Sequence, residues 1–137
     1  MSKNLPNPLF VYKTKTFARF ARKARITDAD LWETALRVNA GAVDADLGGG
    51  VIKQRIARAG EGKSGGSRCI ILFRINDRAV YVFGFEKKDR ENVSSKEVVA
   101  YKEFAAIYLS YTLVEMKRLV EAGALHEVAA PKESDNA

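Results

Sequence analysis

Three consecutive glycines, Gly48–Gly49–Gly50, divide this chain into two parts with different hydrophobic periods. Upstream, Phe17, Phe20, Ala21 and Ala24 fall at i, i+3, i+4 and i+7, the stripe of one helix face. After a short link, Leu31, Ala35 and Val38 line a second helix that Thr27 or Asp28 caps, with Asp30 and Glu33 suited to its first turn. Asn39–Ala40–Gly41 stops it. Downstream of the glycines the period becomes two. Val51–Arg58 alternates, with Ile52 and Ile56 on one face and Lys53 and Arg55 on the other. A chain that changes period in this way must bury helices against a sheet.

The second part continues with strands. Arg68–Ile75 is almost continuously apolar, as a central strand requires, and Asn76–Asp77 suits a tight turn into a strand at Ala79–Phe85. Short links between consecutive strands favour an antiparallel meander. Ser94, with Glu97 three residues on, forms a capping box before a helix in which Val98, Tyr101 and Ala105 are spaced for burial. That helix ends near Leu109 or runs on through Met116 and Leu119 to Gly123. The expected class is α+β: an N-terminal helical hairpin packed on a small antiparallel β-sheet, with a C-terminal helix. Residues 1–13 read as an arm with room for a short first strand at Leu9–Lys13, 14–122 as one domain, and 123–137 as a flexible polar tail.

Charge singles out the middle of the chain. Between Lys53 and Arg90 there are ten basic residues against four acidic ones, which accounts for the entire net charge of +6. The rest of the chain balances. A concentration of positive charge on strands and a glycine-rich connection (Ala59–Gly66) is a patch that collects phosphate. If the helical hairpin covers one face of the sheet, Lys53, Arg55, Arg68 and Arg74 would make a shallow basic trough on the other. Phe85 and Tyr81, of equal parity on the last strand, could stack on a base there.

Other chemistries are poorly supplied. The single Cys69 lies in an apolar run, and the only histidine, His126, lies far from it near the C-terminal end. Thiol–imidazole and serine–histidine catalysis therefore have little basis. No cluster has the spacing of a metal site, and no cofactor is expected. Gly62–Lys63–Ser64 suggests a phosphate loop, but the glycine required five residues earlier is Ala57, and a strand follows where a helix is needed. No run reaches the roughly 20 apolar residues of a membrane helix, and Met1–Phe10 has no apolar stretch of signal-peptide length. A cytoplasmic location is the expectation.

The run from Gly49 to Arg68, with Lys53, Arg55, Arg58, Lys63 and glycines at 49, 50, 60, 62, 65 and 66, resembles the signature of RelE/HigB-type toxins of the RelE/ParE toxin–antitoxin superfamily. Val82–Val93 is similar to the same family's final strand and the turn into its last helix. The resemblance implies a metal-independent endoribonuclease, an mRNA interferase that enters the ribosome and inhibits translation. Such an enzyme directs the 2′-hydroxyl of RNA at the adjacent phosphate, with basic residues in place of a histidine pair. Carried over by motif position, Lys53 and Arg55 would contact phosphate, and one would assist proton transfer. Arg68 would stabilise the phosphorane, and Lys87 would protonate the leaving 5′-oxygen. Arg58, Lys63, Phe85 and Lys88 would bind RNA. Phe85 stands where several relatives carry a tyrosine, which leaves the general acid and base open. The implied partners are a cognate antitoxin of helix-turn-helix type, the ribosome and mRNA, with a homodimer or a toxin–antitoxin heterotetramer as assemblies. The superfamily also contains ParE-like toxins that inhibit DNA gyrase without cutting RNA, and a non-catalytic RNA-binding regulator would carry the same patch.

Overall fold

A computed structural model describes residues 9–56 and 66–131. The elements in chain order are β1 (Phe10–Thr14), α1 (Lys15–Ala24), α2 (Asp28–Asn39), β2 (Ala45–Gly48), β3 (Val51–Arg55), β4 (Ser67–Arg74), β5 (Arg78–Glu86), α3 (Ser95–Tyr108), α4 (Leu113–Glu121) and β6 (Leu125–Val128). They build a six-stranded sheet in the order β2-β3-β4-β5-β1-β6 with helices on both faces.

The fold is α+β, but its arrangement departs from the expected one in three respects. First, the strand for which Leu9–Lys13 leaves room forms as β1 ahead of the helices and joins the sheet, inserting between β5 and β6, parallel to the former and antiparallel to the latter. The meander β3-β4-β5 is antiparallel as expected, but it is only half of a mixed sheet. Second, the segment after Gly123 supplies β6, whose Leu125 and Val128 are buried, so the polar tail begins later than its composition suggests. Third, the C-terminal helix is two helices. Leu109 ends α3, and the Thr112 hydroxyl accepts from the Glu115 amide to start α4, while the Glu115 carboxylate accepts from the Thr112 amide.

Local chemistry explains the element ends. The Thr14 side chain accepts from the Phe17 amide, so β1 turns directly into α1. Thr27, rather than Asp28, caps α2 in a reciprocal box with Asp30. The glycine triplet is a turn: Gly48 pairs with Val51, and Gly49 and Gly50 between them have φ of +63° and +85°. Positive φ at both central positions is what a two-residue hairpin loop requires, and only glycine adopts it without strain. The change of period therefore marks a hairpin inside the sheet, with β2 on its upstream arm.

Two cores form, one on each face. Phe17, Ala21, Leu31, Ala35 and Val38 from α1 and α2 pack on Ile52, Cys69, Ile71 and Tyr81. On the other face Tyr101, Ala105 and Met116 from α3 and α4 pack on Val51, Ile70, Leu72 and Val80. Gly84 sets the approach of α1, because a β-carbon there would lie 2.2 Å from the Phe20 ring.

Candidate RNA-binding site

Strand register decides which of the basic residues meet. Lys53 lies opposite Ile70, and Arg55 opposite Arg68; Arg68 in turn lies opposite Phe85 and Ile70 opposite Phe83. Val51 and Ile70 face α3, so alternation along β3 and β4 places Lys53, Arg55 and Arg68 on the same face. There they line a cleft of about 290 Å³ together with Asp44 and Gln54, among the described residues.

The surroundings of the cleft are built by groups that periodicity does not reveal. Asp44 Oδ2 accepts from the Arg55 amide at 2.7 Å and from Arg55 Nε at 3.4 Å. Gln54 holds the Asp44 segment in place, accepting from the Asp44 amide and donating to the Ala42 carbonyl, each at 2.9 Å. Lys53 Nζ donates to Asn92 Oδ1 at 3.0 Å, which ties β3 to the approach of α3. Asp44 and Asn92 carry no periodic signal, because each reaches the cleft from a loop.

The remaining expected residues are distributed differently. Lys87 and Lys88 are exposed on the turn after β5, where the Lys87 amide donates to the Gly66 carbonyl at 2.7 Å. Arg58 and Lys63 lie outside the described residues, as does most of the glycine-rich connection. Arg74 and Arg78 stand apart from the patch, at the far end of the sheet. They donate to the Leu109 and Tyr108 carbonyls at the end of α3, with Asp77 between them. The trough expected across the whole face is thus confined to one end of β3 and β4, since α3 and α4 cover the remainder.

The aromatic pair also changes. Between Ile70 and Ile71 the register shifts: Ile70 opposes Phe83 while Ile71 opposes Tyr81, leaving Val82 as the extra residue of a bulge. One extra residue sends the rest of the strand to the other face. Tyr81 accordingly sits in the α1/α2 core, where its hydroxyl donates to the Leu31 carbonyl at 2.7 Å and burial pushes its pKa well up. Phe83 and Phe85 face α3, with ring centres 6.1 Å apart. Phe85 is only 4% exposed, and the Arg90 guanidinium lies over both rings at 5.7 Å. Tyr81 and Phe85 therefore do not share a surface.

Arg90 is anchored by Glu97, with Nη2 to Oε1 at 2.6 Å and Nη1 to Oε2 at 3.2 Å. That guanidinium, followed by the Ser94 amide of the capping box, holds the Glu97 carboxyl down at about 2. Burial, then the Glu97 charge, pushes the Tyr101 hydroxyl up to about 12, so it stays protonated at neutral pH and is a poor proton shuttle. A carboxyl with a depressed native pKa stabilises the fold above its unfolded value and loses that contribution as pH falls through the native value. For Glu97 the window runs from about 4.5 down to about 2. Acid titration of Glu97→Gln, followed by circular dichroism, is expected to show a shallower loss of stability than wild type across this window.

Cys69 is fully buried, donates to the Gln54 carbonyl and has its pKa raised by burial, which removes it as a nucleophile. His126 is exposed on β6, on the other side of β5 and β1 from the cleft strands. No group of metal-ligating residues forms among the described residues, and no helix there is long and apolar enough to cross a membrane. The cleft thus offers fixed cations along one sheet end, a geometry for binding and polarising phosphate.

Comparison with curated proteins returns no match. A family model does match, that of the RelE toxin of the RelE/RelB toxin–antitoxin system, over residues 10–128. The matched span starts at the first residue of β1 and ends at the last of β6, so it takes in the whole sheet, both helical layers and every described residue of the cleft. With the match covering most of its length, this chain belongs to the RelE toxin family.

Proposed function

We propose that this protein is the toxin of a type II toxin–antitoxin pair and acts as a ribosome-dependent endoribonuclease on mRNA. Toxins of this family are generally translation-inhibiting ribonucleases, and membership implies a cognate antitoxin. The observation that carries the reading is the convergence of Lys53, Arg55 and Arg68 on one cleft. In the proposed reaction the RNA 2′-oxygen bonds to the adjacent phosphorus and releases its proton to a base in the cleft. The bond from phosphorus to the 5′-oxygen breaks, and that oxygen takes up a proton. The products are a 2′,3′-cyclic phosphate and a free 5′-hydroxyl, and no metal takes part.

Lys53 and Arg55 bind the phosphate, and one of them assists the first proton transfer. Asp44 keeps Arg55 aimed along the cleft. Arg68, between Arg55 and the Phe85 strand, stabilises the charge of the phosphorane, a task that needs no proton exchange. Lys87 on the neighbouring turn supplies the leaving-group proton, and Lys88, Arg58 and Lys63 bind RNA outside the scissile bond. The antitoxin is of helix-turn-helix type, and the toxin works in the cytoplasm.

Induced expression followed by transcript-end mapping tests the reading. Growth arrest with new ends confined to translated regions is expected. Arrest with intact transcripts and accumulated DNA breaks would transfer the protein to the gyrase-inhibiting branch. Absence of any growth effect would favour an RNA-binding regulator.

A further inference from the structure

Beside the cleft lies a planar cation with three of its five N–H donors engaged. Arg90 Nε donates to the Asn92 carbonyl at 3.0 Å, and both terminal nitrogens donate to Glu97. A guanidinium already paired with a carboxylate across one edge is a weaker phosphate clamp than an unpaired one. One side of it rests on Phe83 and Phe85, yet its side chain remains 36% exposed. The exposed side chain thus carries a flat, delocalised cation backed by two rings. Unsaturated planar ligands stack on such a cation.

Its position fits a nucleotide. Phe85 lies directly opposite Arg68, and Phe83 is two pairs further along, past Gly84. Adjacent strands are roughly 4.8 Å apart, so the stacking face stands about one strand away from the cation that faces the phosphate. Asn92 joins Arg90 to the Lys53 side of the cleft, its side chain accepting from Lys53 and its carbonyl from Arg90. We propose that Arg90, stacked on Phe83 and Phe85, is the nucleobase platform of this protein and holds the base of the nucleotide next to the reacting phosphate. The inference rests on reading the cleft as an RNA site. It gives the stacking role to Arg90, whereas Phe85 serves as the buried support.

Purified protein titrated with a single-stranded oligoribonucleotide containing 2-aminopurine separates the possibilities. Wild type is expected to bind and to quench the fluorophore. Arg90→Lys retains the charge and a partner for Glu97 but lacks the plane, and should bind roughly 5- to 100-fold more weakly with less quenching. Its slope of log affinity against log salt should match wild type, while Lys53→Met should lower that slope by about 0.7. Glu97→Gln, which leaves the plane over the rings, should bind more tightly than Arg90→Lys, and melting curves identify any variant that fails to fold. Equal affinity and quenching for Arg90→Lys and wild type would overturn the platform. Salt-dependent binding by wild type without quenching would overturn the platform and leave the RNA cleft standing. No binding by wild type at low salt would overturn the platform, whereas the RNA cleft falls only if cleavage of translated mRNA is also absent.

Discussion

Arg68→Ala is expected to reduce RNA cleavage by roughly 100- to 1,000-fold, the scale associated with losing one preorganised group at developing charge. The melting temperature should change little. The surroundings give the reason: Arg68 stands directly opposite Arg55, cation against cation across β3 and β4. Asp44 pairs with Arg55, and a partly exposed cation beside it contributes little net stability, so the variant loses mainly the packing of the arginine's aliphatic stem. Single-turnover cleavage of translated mRNA, measured alongside thermal melting of the same preparation, separates the two effects. A variant that loses cleavage because it has unfolded would show that Arg68 belongs to the packing instead.

Arg78→Ala should do the opposite, lowering stability by about 2–4 kcal/mol, as expected when a large buried side chain is truncated and its hydrogen bonds are lost. Arg78 is 1% exposed, bonded to Asp77 Oδ1 at 2.6 Å and to the Tyr108 carbonyl at 2.9 Å. Truncation removes one of the two arginines that hold the Asp77 carboxylate and leaves the Tyr108 carbonyl at the end of α3 unsatisfied. It also opens a space the size of the largest fully buried side chain among the described residues. A fall in melting temperature of about 10 °C or more is expected for a domain of this size. Arg74 shares the arrangement but is 45% exposed on its side chain, so Arg74→Ala should cost much less. Arg68 and Arg78 belong to the same basic segment, and one serves the cleft while the other holds a helix end.

How much of the fold is legible in the sequence depends on the range of each signal. Capping boxes at Thr27 and Ser94 and the alternation of β3 against β4 are local patterns, and the structure reproduces them. Lys53, Arg55 and Arg68 can be placed on one face for that reason. The insertion of β1 beside β5 joins residues nearly 70 positions apart, such as Phe10 and Arg78, and leaves no local trace. β6 is only four residues long, with two exposed positions between its buried ends, which matches no strand period. The bulge at Val82 has the largest consequence. Parity joins Tyr81 to Phe85, and a single extra residue separates them onto opposite faces. In the sequence Arg90 is one more positive charge, because its role depends on Phe83, Phe85 and Glu97 arriving from β5 and α3.

In the proposed function the cations of one cleft cleave RNA. The measurement that tests it most directly is the chemistry of the ends produced when the purified protein is added to a translating mRNA. A 2′,3′-cyclic phosphate facing a 5′-hydroxyl, formed only when ribosomes are present and lost with Arg68→Ala, is the predicted result. Ends bearing a 5′-phosphate, or equal cleavage by Arg68→Ala, would contradict it.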